Sequence, residues 1–128
     1  MELKHKELTE KIIQCCFKVH NTLGFGFLEK VYENALVIEL VKVGLIVKQQ
    51  HPIQVYYDGQ VVGEYQADIL VEHKVILELK SVEHISDIHE IQLKNYLKAT
   101  GIEVGLLINF GKSVEIRRKY NAALSGRQ

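Results

Sequence analysis

The sequence predicts an α/β fold in which a central mixed β-sheet is flanked by helices, and three observations carry the prediction. Apolar residues recur at helical spacing in three stretches, while other stretches are rich in β-branched and apolar residues bounded by turn signals. Their order along the chain is α-α-β-β-β-α-β-β, which puts helices against the faces of one sheet. At 128 residues and 47% hydrophobic content the chain can fill one core and not two, so residues 1–128 are expected to form a single domain.

The first helix is expected to start at Thr9 as its cap and to run to about residue 22, with Ile12, Cys16, Val19 and Leu23 on one face. Gly24 and Gly26 break it. A second helix over about 27–43 is expected to bury Leu28, Val31, Tyr32, Ala35, Leu36 and Val43, and Gly44 closes it. Strands follow at 46–57, 61–71 and 75–81. Asp58-Gly59 is a strong turn signal between the first two, and Pro52 marks an edge or a bulge in the first. Asp87-Ile88-His89-Glu90 reads as a capping box that opens a third helix, which stops at Gly101. The last strands, 104–109 and 114–119, flank Phe110-Gly111-Lys112.

The stretch from Ala67 to Lys80 carries three charges, Asp68, Glu78 and Lys80, on what otherwise read as buried strands. Strand alternation sends Ile76, Glu78 and Lys80 to one face and Val75, Leu77 and Leu79 to the other. Taking an ionised carboxylate out of water costs several kcal/mol unless it is paired or bound to a metal. The arrangement is therefore either a tolerated ion pair or a site. A two-residue turn at His73-Lys74 would place Asp68 opposite Leu79. A three-residue turn, Glu72-His73-Lys74, would set it across from Glu78 with Cβ atoms about 5 Å apart, close enough for both carboxylates to grip one cation. A β-bulge would do the same. These residues alone leave the bland reading open, in which Asp68 ends a strand and Glu78 with Lys80 is a surface pair worth at most about 1 kcal/mol.

The constellation Asp68, Glu78 and Lys80 resembles that of the PD-(D/E)xK phosphodiesterase superfamily. Gly26-Phe27-Leu28-Glu29-Lys30-Val31-Tyr32 is similar to the signature of the GxxExxY proteins, a small prokaryotic branch of it, and the likeness runs from about Phe17 to Arg118. Gln92-Leu93-Lys94-Asn95-Tyr96 resembles the QxxxY helix motif of nuclease domains in recombination helicases. One departure is Ala67, where the superfamily commonly has Pro before the Asp. The resemblance implies a restriction-endonuclease-like sandwich and a Mg²⁺- or Mn²⁺-dependent nuclease that hydrolyses phosphodiester bonds in nucleic acid, DNA ahead of RNA. It implies that Asp68, Glu78 and the Leu79 backbone carbonyl hold the metal with help from Glu29. Lys80 would then position the attacking water or stabilise the transition state, and Gln92 would orient substrate or water. Hard oxygen ligands suit Mg²⁺ and Mn²⁺ and leave positions open for water and phosphate.

Each supporting residue has a plainer reading beside the functional one. Glu29, in the first turn of its helix, would gain about 0.3–1 kcal/mol from the helix dipole alone. Tyr32 lies one turn on, as core packing that orients Glu29 or as part of the site. Gln92 and Tyr96, at i and i+4, share a helix face and can both lean over the site, while Tyr96 serves equally as an amphipathic core residue. His20, near the Gly24–Gly26 loop, is a candidate for approaching phosphate, and His89 lies one turn before Gln92; a lone helical histidine is more often a hydrogen-bonded packing residue.

The six histidines and two cysteines show no zinc spacing. Cys15 and Cys16, adjacent on a helix, point about 100° apart and read as reduced packing residues. No apolar run reaches the length of a membrane span, and the charged start Met1-Glu2-Leu3-Lys4-His5-Lys6 has no apolar stretch behind it, so a cytoplasmic protein with no membrane partner is expected. Sixteen acidic and sixteen basic side chains cancel, which counts modestly against DNA binding. Lys42, Lys48, Lys74, Lys94, Lys98, Lys112, Arg117, Arg118 and Lys119 are the candidate phosphate-facing cations. So short a chain must draw specificity from its loops, from a homodimer partner or from a larger DNA-processing complex. The rival to a nuclease is a catalytically silent nucleic-acid-binding or protein-interaction module on the same fold, and a third reading is a structural domain with ordinary ion pairs.

Overall fold

Helix-forming periodicity begins earlier than Thr9. In the computed structural model, which describes residues 4–122, helix α1 spans Lys6–Leu23 behind His5, a left-handed residue at φ 55°. The chain turns into the helix one turn before Thr9, so this side chain falls inside it, and the buried hydroxyl donates back to the Lys6 carbonyl at 3.1 Å. Met1, Glu2 and Leu3 lie outside the described residues. Helix α2 spans Glu29–Lys42, and Gly44, at φ 86°, turns the chain out of it. Strands β1 (Val47–Tyr57), β2 (Gln60–Val71) and β3 (Val75–Lys80) precede α3 (Asp87–Thr100), and β4 (Val104–Phe110) and β5 (Val114–Tyr120) complete the order α-α-β-β-β-α-β-β. No described helix is long and apolar enough to cross a membrane.

The five strands form one mixed sheet in the order β1-β2-β3-β4-β5, with β3 and β4 parallel and the other neighbours antiparallel. Helix α3 is the crossover that the parallel pair requires. One sheet face, including Leu77, Leu79, Leu106 and Ile108, packs on Ile12, Cys16 and Val19 of α1 and Tyr32, Leu36 and Leu40 of α2. The other, including Ile76 and Leu107, packs on Leu93, Tyr96 and Leu97 of α3. Cys15 and Cys16 are buried free thiols. This is a restriction-endonuclease-like α/β sandwich.

Two local expectations need correction. On α2, Leu28, Val31 and Val43 are exposed, Leu28 by 81%, whereas Leu40 and the charged Glu33 are buried. Apolar residues occur all round this helix, so its composition did not single out the buried stripe. On α3 the cap is one residue earlier than expected. Ser86 occupies the N-cap, and His89 stands where the capping box would have Glu, its Nδ1 accepting from the Ser86 N–H at 3.2 Å. A neutral imidazole nitrogen accepts such a bond as a carboxylate would.

Close approach between α3 and β4 depends on a glycine. A Cβ at Gly105 would stand 2.8 Å from Cδ1 and 3.0 Å from Cγ of buried Leu93. We expect Gly105→Ala to destabilise the protein by about 1–3 kcal/mol through overpacking, measured by urea denaturation. A stability equal to wild type would show that Leu93 can move aside at no cost.

Candidate active site

The site lies where the sheet splits. Strand β2 pairs with β3 through Ile69↔Leu77, Leu70↔Ile76 and Val71↔Val75, and the turn between them is the three residues Glu72, His73 and Lys74, the first two left-handed. That register sets Asp68 opposite Glu78. There the backbone ladder stops and side chains replace it. The Asp68 N–H donates to Glu78 Oε2 at 2.8 Å, and the Leu79 N–H donates to Asp68 Oδ2 at 2.8 Å. Each carboxylate is thus fixed by the other strand's backbone and keeps its second oxygen for other partners. Meanwhile β2 stays with β1, and Gln50, a left-handed residue (φ 50°), stands opposite Asp68 between the pairs Gln49↔Ile69 and His51↔Ala67.

Helices close on the split from both faces. Glu29 opens α2, and the loop before it is held by Tyr32, whose hydroxyl donates to the Gly24 carbonyl at 2.7 Å and accepts from the Phe27 N–H at 3.3 Å. Tyr32 is buried and stacks on Phe110 at 4.7 Å, so it is core packing that also shapes the approach to Glu29. Ser81, one residue past β3, donates to the Phe27 carbonyl at 2.7 Å and ties that loop to the end of β3. From the other face, Gln92 Nε2 donates to Tyr96 Oη at 2.9 Å. Helix α3 packs through Tyr96 on Leu70 and Ile76, which share a sheet face with Asp68 and Glu78 by strand alternation, and burial and then the charge of Glu78 raise the Tyr96 hydroxyl.

The electrostatics are those of anions held together against their preference. Glu78 is 6% exposed; burial and then the charge of Asp68 push its carboxyl up to about 8, against the pull of the Asp68 N–H and Lys80. Asp68 is also raised, chiefly by burial and further by Glu33, while the Leu79 N–H, Lys80 and Gln50 act the other way. Glu29 is exposed as a residue, yet its partly desolvated carboxyl is raised, with Lys80 opposing and Asp68 and Glu33 adding to the effect. Lys80 is thus the cation common to all three acids. Its charge also lowers His89, after burial, at the start of α3.

Sequence reasoning missed Glu33, Gln49 and Gln50. Glu33 is buried and accepts from Lys30 Nζ at 3.0 Å, Gln49 Nε2 at 2.8 Å and Gln50 Nε2 at 3.0 Å. It ties α2 to the irregular turn of β1 that faces Asp68. The signal for Glu33 was its place four residues after Glu29, on the same helix face; nothing local marked the glutamines. His20 is turned elsewhere, with Nε2 2.8 Å from the Gly111 carbonyl, and so serves the β4–β5 turn. Of the candidate cations, Arg117 and Lys119 pair with Glu90, and Arg118 donates to Thr9 Oγ1 at 2.8 Å.

A divalent metal fits part of this arrangement. Two carboxylates with oxygens to spare, destabilised by each other and by burial, suit a Mg²⁺-type ion, which takes one or two protein carboxylates and otherwise water and phosphate. Among the described residues no three His, Cys, Asp or Glu side chains stand together as a metal-holding group, and the acids joined by reciprocal hydrogen bonds are Asp68 and Glu78.

Comparison with known proteins bears on the fold and the family. Among solved structures, SSO0001 is similar in fold, with a TM-score of 0.55 and 16% identity over 72% of this chain and 50% of that one, so the chain spans half the length of that relative. An alkaline exonuclease, LHK-Exo from Laribacter hongkongensis, aligns with a TM-score of 0.48 and 13% identity over 98% of this chain and 75% of that one. No curated protein matches. The profile of one family matches residues 6–119, spanning both acids, Lys80 and all three helices, and the chain belongs to that family, the PD-(D/E)XK nuclease superfamily.

Proposed function

We propose that the protein is a Mg²⁺- or Mn²⁺-dependent nuclease that hydrolyses phosphodiester bonds, with DNA as its substrate ahead of RNA. The observation that carries the reading is the Asp68–Glu78 pair, held at the split between β2 and β3 by reciprocal backbone hydrogen bonds with Lys80 beside it. A protein that needed these charges only for its fold would gain little from burying two like charges together.

In this reading Asp68 and Glu78, with the Leu79 carbonyl, would hold the ion, and Glu29 would act from the rim. When bound, a divalent ion acidifies water and neutralises charge at phosphorus. Lys80 orients the attacking water or offers its ammonium to the charge that develops on the phosphate oxygens. Gln92, already bonded to Tyr96, presents the rest of its carboxamide to substrate or water. Tyr32 acts through the loop that precedes Glu29.

We place the chain further in the GxxExxY branch, and the motif has a physical rationale here. Gly26 takes φ 106°, a conformation that side chains disfavour, and Tyr32 provides the hydroxyl that holds the loop. Glu29 follows directly at the helix start.

The test is cleavage of single-stranded, nicked, branched and duplex DNA, and of RNA, with Mg²⁺, Mn²⁺ or EDTA. The expected result is cleavage of at least one DNA substrate that stops with EDTA. No cleavage of any substrate with either ion would refute the reading and leave the silent binding module in its place.

A further inference from the structure

The β1–β2 hairpin and α3 leave between them an open groove of about 770 Å³. Tyr56 and Tyr65 from the hairpin and Tyr96 from α3 line it, together with the carboxamides of Gln54, Gln92 and Asn95. Two of these aromatic side chains face solvent, Tyr56 being 60% and Tyr65 49% exposed. Their placement is built. The Tyr56 hydroxyl donates to Gln54 Oε1 at 2.7 Å, and the Tyr65 and Tyr96 rings lie 5.6 Å apart. Gly63 leaves the Tyr65 ring room along the strand, since a Cβ there would come within 3.3 Å of the ring. No carboxylate lines the groove among the described residues, and Lys98 is its charged lining residue. Tyr96 of this groove packs with Ala67, Leu70 and Ile76, on the sheet face that Glu78 shares with Ile76 by strand alternation, so the groove lies on the acid pair's side of the sheet.

We propose that this groove is a subsite for single-stranded nucleic acid, in which unpaired bases stack on Tyr56 and Tyr65 while the strand runs on toward Asp68 and Glu78. The proposal rests on the nuclease reading above for the fate of that strand. Exposed aromatic faces beside carboxamides suit bases whose faces and edges are both free, as in a single strand; in a duplex the faces are already stacked on one another. Lys98 and the lack of lining acids suit a polyanion. A second copy of this chain fits less well, because a two-fold contact through the groove would bring like lysines toward each other.

Binding is measured by fluorescence anisotropy with a labelled oligothymidylate of about 12 nucleotides, within the usual span of single-strand grooves. The protein is the whole 128-residue chain with Asp68→Asn, in EDTA, so that binding is read without turnover. Tyr56→Ala and Tyr65→Ala should each weaken binding by about 5- to 150-fold, and Tyr56→Phe and Tyr65→Phe should keep it near the parent value. A blunt duplex hairpin should bind all variants alike. Melting temperatures control for folding, and Tyr56, the more exposed of the two, keeps the test valid if Tyr65→Ala unfolds. The proposal is overturned if the parent does not bind the oligothymidylate, if the alanine variants bind as well as the parent, or if the phenylalanine variants lose as much as alanine. It is also overturned if sedimentation shows a dimer that Tyr56→Ala dissociates. Loss of oligothymidylate binding in the alanine variants, beside a wild type that cleaves nothing, would keep the groove and remove only the nuclease reading. Cleavage by the wild type with unchanged binding in the variants would do the reverse.

Discussion

Lys80→Ala should lower metal-supported cleavage by at least about 10²–10³-fold while the protein stays folded. The size follows from the role. A single ammonium that stabilises developing charge or aligns the attacking water in a partly dry site is worth far more there than at an open surface. Folding should survive because Lys80 is the last residue of β3 and its backbone register with Asn109 of β4 does not depend on its side chain. Asp68→Ala and Glu78→Ala should fall at least as far in rate, but each also removes the acceptor of a backbone N–H. An unmatched N–H costs about 1–3 kcal/mol when buried, so these variants must be checked for folding before their rates are read. Initial rates on the best substrate with Mg²⁺, beside circular dichroism of each variant, decide the matter. Near wild-type turnover in a folded Lys80→Ala protein would remove Lys80 from the mechanism.

How much of this site could be read in advance depends on whether the signal was local. The turn length was legible because parity leaves few ways to bring Asp68 opposite Glu78, and the three residues between Val71 and Val75 supply one. Strand alternation likewise separated Glu78 and Lys80 from the apolar residues Leu77 and Leu79. What remained hidden was long-range. Glu33 reads as one more polar residue of a surface helix until β1 arrives with Gln49 and Gln50, whose amides satisfy its buried carboxylate. Gln50 takes its left-handed conformation opposite Asp68, where the β2–β3 ladder has ended, a feature no residue type at that position announces. The cap of α3 misled for a related reason. Asp87 and Glu90 have the right spacing, but Ser86 caps one residue earlier and Glu90 is taken by Arg117 and Lys119 of β5.

The metal-free protein should lose stability as pH rises from about 4.5 to about 8, and Glu78 is the main reason. In the unfolded chain its carboxyl titrates near the ordinary value of 4.5, whereas in the fold burial and the charge of Asp68 push it up to about 8. Below both values the group is protonated in either state and this source of stability is fully present. Between them the folded state holds a proton that the unfolded chain has released, so stability falls by up to about 1.4 kcal/mol per pH unit, and the contribution is lost above about 8. Asp68 and Glu29 are raised as well and act with the same sign. Glu78→Gln should flatten the profile and melt above wild type near pH 8, because glutamine can keep the acceptor for the Asp68 N–H without the charge. A divalent ion that binds only the fold should counter the repulsion by RT ln(1 + [M]/Kd), about 2.7 kcal/mol at a hundredfold excess over Kd. Wild type should therefore melt higher with Mg²⁺ or Mn²⁺ than with EDTA. Asp68→Asn, with one repulsive charge removed and its shape kept, should be no less stable in EDTA and should lose the metal response. Melting curves across this pH range, for wild type and both variants with and without metal, test each part. Equal metal shifts in wild type and Asp68→Asn would place the ion away from this pair, and a flat wild-type profile would mean that Glu78 is not held protonated by the fold.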